Sequence, residues 1–286
     1  LNSVTLTSLF NLETVEKHLF RGHSWDLGFR ALYGGQVLGQ SVMAAYQTVA
    51  PEFTIHSFHS YFLLPGDAGI PVVYDIENVR DGRSFCTRRI KALQKGKTIF
   101  YMTASFQIAE DAPLQHQFAN MPKVPLAEDT TPDIDNYLNN RSKVSERVKQ
   151  AIEYHRPLDI RSVGGDNFSK ALHKEPRRNI WFRSRDPMPE DLSVNQASLA
   201  YASDYHFLST ALFAHGLAPN DRSLRMATID HAMWFHKPFA FDQWMLYKIH
   251  SPFSGNSRAL VKGEIFDQQG TLVATSIQEG LLRKIA

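Results

Sequence analysis

Apolar positions along this chain follow two rhythms, and the two alternate in blocks. In residues 33–49, Gly35, Leu38, Val42, Ala45 and Val49 recur at helical spacing. Beyond Pro51 the rhythm shortens to that of strands. Residues 54–64, 72–79, 84–93 and 98–107 are rich in β-branched and aromatic side chains, with turn signals at Pro65-Gly66-Asp67, Arg80-Asp81-Gly82 and Gln94-Lys-Gly-Lys97. A second helical block spans 195–214, with Ala197, Ala200, Tyr201, Asp204, Leu208 and Ala211 on one stripe. Little of its circumference is polar, which predicts a helix wrapped by protein on most sides. Strands are expected again at 226–239, 244–251, 257–266 and 271–282, and a short one at 180–184. Residues 11–20 alternate weakly and read as a helix turn or a strand. Prolines at 113, 122, 125 and 132 mark 109–177 as an exposed connection, with a polar surface helix expected at 140–154.

A helix followed by an antiparallel meander predicts an α+β unit whose sheet curls over the helix. The order occurs twice. Setting Pro65 against Pro238 brings Tyr61-Phe62 onto Trp234-Phe235, and Gly82 and Ser84 onto Gly255 and Ser257. Self-similarity of this kind indicates a duplicated fold, and the differences between the copies are informative. The first helix has no carboxylate, whereas the second carries Asp204. Ile55 stands opposite Thr228, and, one residue of shift further on, Ala104 stands opposite Gln278. One site per chain, built on the second copy, would look this way. A buried acid without partners is costly, so Asp204 is either a site residue or a structural acid bonded to a tyrosine hydroxyl or a backbone amide. Gly34, Gly35 and Gly39 lower helix propensity, which suggests close approach of a backbone or a ligand.

Composition narrows the partners. The net charge is +2 without a basic run, which argues against nucleic acid. Cys86 is the only cysteine, so disulfides and cysteine metal sites are out, and a reducing compartment fits. No stretch approaches the roughly 18 apolar residues of a membrane span. The opening residues lack signal-peptide character, and the ending is not Ser-Lys-Leu. A cytoplasmic protein without a membrane is expected. His56 and His59 point to opposite faces of one strand, as do His231 and His236, so no metal site is expected. Asp230-His231 does not make a Ser-His-Asp triad, because no Gly-x-Ser-x-Gly elbow accompanies it and neighbouring strand residues diverge.

Longer strings carry a family resemblance. Tyr33-Gly-Gly-Gln-Val-Leu-Gly-Gln40, His56-Ser-Phe-His-Ser-Tyr-Phe62, Phe100-Tyr-Met-Thr-Ala-Ser-Phe-Gln107, Tyr201-Ala-Ser-Asp204, Ala227-Thr-Ile-Asp-His-Ala-Met-Trp-Phe-His236 and Ser276-Ile-Gln-Glu-Gly280 occur in one order. Along nearly its whole length the chain resembles the bacterial acyl-coenzyme A thioesterase II family. The resemblance implies a double hotdog: two tandem copies of a long central helix wrapped by a curved antiparallel sheet, the two sheets pairing into one. The N-terminal repeat would cover 1–110, a connecting segment 111–177, and a C-terminal repeat carrying the catalytic residues 178–286. It implies hydrolysis of acyl-CoA to fatty acid and coenzyme A, with Asp204, Thr228 and Gln278 orienting the attacking water, and assembly as a homo-oligomer (dimer or tetramer). No cofactor is expected, coenzyme A being part of the substrate.

The chemistry is coherent with those residue types. A carboxylate can take a proton from water, and a hydroxyl and an amide can fix that water while satisfying the acid. Backbone N–H groups at a buried helix start can polarise a carbonyl, which makes Gly34 and Gly35 candidate substrate-binding residues. His59 is a candidate substrate contact or a core hydrogen bonder. Arg258, with Arg88, Arg89 and Lys262, is a candidate for the coenzyme A phosphates. Two rivals stand: a hotdog enoyl-CoA hydratase or dehydratase, whose Gly-Asp-x-Asn-Pro-Leu-His pattern is absent from Ser203-Asp-Tyr-His-Phe-Leu-Ser209, and a non-catalytic acyl-CoA binding module.

Overall fold

A computed structural model of the chain describes residues 5–28, 31–111, 113–135, 146, 157–165, 175–219, 221 and 223–285. After a single-turn helix α1 (Leu6–Leu9), residues 11–20 resolve into strand β1 (Glu13–Glu16) and the start of β2 (Leu19–Gly22). The first helical block is α2 (Gly34–Tyr46), followed by β3 (Phe53–Phe62), β4 (Val72–Asp81), β5 (Phe85–Gln94) and β6 (Lys97–Ile108). The turn joining β5 to β6 places Lys95 and Gly96 both at positive φ, as a two-residue hairpin requires.

The connection is not wholly irregular. It contributes β7 (Leu158–Ser162), which extends the sheet beside β8 (Arg177–Ser184). The helix expected at 140–154 lies outside the described residues, apart from the single helical residue Glu146. The second half runs α3 (Leu192–Ser203), a 3-10 helix (Leu208–His215), β9 (Leu224–Thr228), β10 (Asp230–Phe235), β11 (Met245–Gly255), β12 (Arg258–Asp267) and β13 (Leu272–Lys284).

Two expected elements are broken. The helix expected at 195–214 stops at Ser203, because His206 takes a left-handed φ of 56° and the chain restarts as a 3-10 helix. The strand expected at 226–239 divides at Ile229. Residues 228 to 232 span only 280 to 277 on β13, so this edge holds one extra residue. A bulge re-aims the side chains beside it, and here the neighbour is Thr228.

The strands form one antiparallel sheet in the order β1-β2-β4-β5-β6-β3-β10-β13-β12-β11-β8-β7, with β9 on β13. The α+β expectation is met. The run β4-β5-β6-β3 is mirrored by β11-β12-β13-β10, and the halves meet where β3 pairs with β10, Asp230 against Tyr61 through Trp234 against Ser57.

Helices α2 and α3 pack against each other in opposite directions. A Cβ on Gly35 would stand 2.1 Å from the Tyr201 carbonyl oxygen, and one on Gly39 would stand 2.8 Å from that of Ala197. The glycines are therefore read correctly as close-approach positions, and the approaching group is the other helix. Gln40 of α2 is fully buried. It donates to the carbonyls of Leu9 and His23 and accepts from the Tyr74 hydroxyl, satisfying its amide. Among the described residues no helix is long and apolar enough to cross a membrane.

Candidate active site

Asp204 is the C-cap of α3, not a mid-helix residue. The carbonyls that a helix end leaves open are taken by side chains from several elements. Tyr33 donates its hydroxyl to the Tyr201 carbonyl at 2.9 Å, and Tyr247 donates to that of Ser203 at 3.0 Å. Ser203 Oγ donates to the Ala200 carbonyl at 2.8 Å. The end of α3 is thus held by residues of the N-terminal half and of β11, and Asp204 is held with it.

Three donors converge on the Asp204 carboxylate: the Gln278 amide, the Gly35 backbone N–H and the Thr228 hydroxyl. Gly35 is the second residue of α2, so the positive end of that helix dipole faces the acid, while the negative end of α3 lies behind it. Gly34 leaves room for the carboxylate, since a Cβ there would lie 2.7 Å from Asp204 Oδ2. Asp204 keeps a partial opening to solvent, but protein surrounds it closely enough for desolvation to dominate. Burial raises its pKa to about 7 against the lowering by Gln278, Gly35 and Thr228. Tyr33, Tyr201 and Tyr205 form an aromatic cluster next to it. Beside that cluster, Leu158, Ile160, Ile180, Phe182, Ala202, Tyr205 and Tyr247 line a narrow apolar crevice.

Gln278 and Thr228 are brought together by the register of β13 with β9. Gln278 Nε2 donates to Thr228 Oγ1 at 2.9 Å. Its Oε1 lies 2.7 Å from Nδ1 of His231, a fully buried residue that sequence reasoning did not connect with the site. The available signal was alternation: His231, Met233 and Phe235 share the buried face of β10. Asp230 faces the other way and accepts from the Glu279 N–H at 2.8 Å, so the two neighbours do diverge.

Other candidates fall away from Asp204. His59 lies on the opposite face of β3 from the buried Phe58 and Ser60, exposed and edge-on to Trp234. Arg258 alternates with the buried Ala259 and Val261 of β12, which puts it on the outer face, paired with Glu279 at 3.0 Å. Strand alternation turns both outward. Arg88 is buried and spends its guanidinium on Thr48, the Arg80 and Thr87 carbonyls and Asp81. The Gly35 N–H donates to the Asp204 carboxylate.

Comparison with known proteins agrees with the sequence resemblance. Residues 22–107 match the family described as acyl-CoA thioesterase N-terminal domain, and residues 147–281 match acyl-CoA thioesterase. The chain is 40% identical to human acyl-coenzyme A thioesterase 8 over 290 residues, covering 99% of this chain and 90% of that protein. The crystal structure of the acyl-CoA thioesterase II TesB2 from Mycobacterium marinum superposes with a TM-score of 0.80 at 37% identity, covering 99% of each chain. A protein from Alicyclobacillus acidocaldarius described as having a hot dog fold superposes at 0.78 with 20% identity over 98% of each chain, which speaks for the fold alone. The architecture is thus of the hotdog type, and the chain belongs to the acyl-CoA thioesterase family.

Proposed function

We propose that the chain hydrolyses acyl-CoA thioesters to free fatty acid and coenzyme A, with Asp204, Thr228 and Gln278 as the groups that orient and deprotonate water. Water attacks the thioester carbonyl, its proton passes to Asp204, and the tetrahedral intermediate collapses with cleavage of the carbon–sulfur bond. The coenzyme A thiolate leaves and takes up a proton. A base with a pKa near the working pH is suited to this step, and the observation carrying the reading is the Asp204 carboxylate, raised to about 7 while three donors converge on it. The start of α2 adds positive potential over the same space. No cofactor enters this scheme.

The double-hotdog reading, with repeats at 1–110 and 178–286 around the 111–177 connection, draws support from the mirrored strand order. It also accounts for a single site. Tyr46 and Asp204 both stand thirteen positions after a helix N-cap, Tyr33 and Asp191. In the first half the Tyr46 hydroxyl donates to Gln196 Oε1 and accepts from the Ile55 N–H, so that place is filled by a satisfied phenol. The test is thiol release across acyl-CoA chain lengths beside Asp204→Asn. The variant should fold and lose on the order of 10³-fold in kcat, in the middle of the range that general acid–base catalysis contributes. Turnover within tenfold of the parent would sink the assignment.

A further inference from the structure

The ring of His231 is enclosed between Phe58 and Phe207, with centroids 6.0 Å and 5.6 Å away. Both its nitrogens are engaged. Nδ1 lies 2.7 Å from Gln278 Oε1 and Nε2 lies 3.0 Å from Ser203 Oγ. An amide oxygen only accepts, so Nδ1 carries the proton. A ring that is neutral then has Nε2 as an acceptor, and it takes the Ser203 hydroxyl proton in competition with the Ala200 carbonyl, 2.8 Å from the same Oγ. Burial favours that neutral form, lowering the His231 pKa to about 4 against a raising contribution from Gln278.

The consequence falls on Gln278. With Oε1 held by His231, its two amide protons point to Thr228 Oγ1 and to Asp204. Turning the amide over would set its oxygen against the carboxylate and its NH2 against the Nδ1–H. Each would leave a buried group without a partner, at a cost of roughly 1–3 kcal/mol per group. The ionised Asp204 carboxylate favours the same orientation, and the Nδ1–H of His231 holds it also when Asp204 has taken up a proton and could itself donate.

We propose that His231 is a positioning residue for thioester hydrolysis: its Nδ1–H fixes the orientation of the Gln278 amide and so keeps a donor on Asp204. The inference rests on Asp204, Thr228 and Gln278 being the reaction centre. Other titratable groups facing Asp204 are Tyr33, Tyr205 and Tyr247, all held neutral by burial. Because Gln278 lowers the Asp204 pKa, loss of its donor moves the acid limb of the rate profile to higher pH.

The test uses the full chain with two polar replacements that divide the two ring nitrogens. The amide nitrogen of His231→Asn falls where Nδ1 was, whereas that of His231→Gln falls where Nε2 was, beside Ser203. A merely structural histidine would be replaced better by Gln. Expected for His231→Gln is a kcat loss on the order of 10- to 100-fold, the range for removing an orienting partner, with KM changed less than about threefold and the acid limb displaced upward. His231→Asn should recover most of the kcat and restore the limb. Equal behaviour of the two, or a better His231→Gln, overturns the proposal. Independently of folding of either variant, nitrogen-15 spectra of the parent's histidines should show the Nδ1–H tautomer of His231 from about pH 5 to 9. The Nε2–H tautomer or an imidazolium would overturn it. Asp204→Asn assayed alongside separates the failures: activity retained there removes the assigned reaction centre, whereas activity lost there with His231→Gln unaffected removes only the positioning role.

Discussion

Asp204 loses more to burial than it recovers from its three hydrogen bonds, and its pKa comes to about 7. As a base it is competent when ionised, so kcat/KM should fall about tenfold per pH unit below 7 and level off above it. Following thioester loss at constant ionic strength checks this, and a flat profile from about pH 5 to 8 would contradict it. The same carboxyl acts on folding with a different sign. Its folded pKa is raised above the ordinary 3.8, so the folded state binds the proton more tightly. The stability it contributes is complete below about pH 4 and is lost as pH rises through 7. At ~1.4 kcal/mol per pKa unit, the ionised acid costs a few kcal/mol at alkaline pH. Asp204→Asn removes that cost. Its melting temperature should exceed the parent's by a margin that widens between about pH 5 and pH 8.5. Melts at both pH values decide it, and a constant or shrinking margin would count against burial as the dominant cause.

Elements place these groups by ending or bending where a regular pattern would continue. α3 stops at Ser203 where the chain turns through the left-handed His206, tyrosines from elsewhere satisfy its last carbonyls, and Asp204 is left at the cap facing the start of α2. The β9–β10 bulge does for Thr228 what the cap does for Asp204. Helix contact is the tightest element of the design, since a Cβ on Gly35 would lie 2.1 Å from backbone of α3. Gly35→Ala forces the two helices apart. Expected is a loss of at least about 2 kcal/mol, within the range for overpacking, read from urea denaturation. Activity should fall with it, because the Gly35 N–H moves off the carboxylate. Full stability in that variant would show that the contact can relax.

Across the whole molecule the sheet runs without interruption through the β3–β10 pairing, and the site draws on both sides of it: Gly35 and Tyr33 from one half, Asp204, Thr228, Gln278 and His231 from the other. The halves are therefore expected to unfold together. Tryptophan fluorescence and residual activity in urea should give one shared midpoint, and two separated transitions would contradict the coupling.

Local pattern alone determined much of this protein. Hydrophobic rhythm located α2, α3 and the strands of both meanders, and comparing the two copies picked out Asp204, Thr228 and Gln278 as the residues without a counterpart. These are properties of periodicity and of residue type at a position, which a linear chain carries by itself. Tertiary structure decided what depends on groups distant in the chain. It ended α3 at Ser203, where His206 turns left-handed and tyrosines brought there only by folding satisfy the open carbonyls. It turned His59 and Arg258 outward, since the sign of an alternation is set by which face meets the helices. It set the pKa of Asp204, where desolvation and hydrogen bonds oppose each other, and it joined His231 to Gln278 across 47 residues. Sequence names the groups, but their free energies come from surroundings that exist only once the chain has folded.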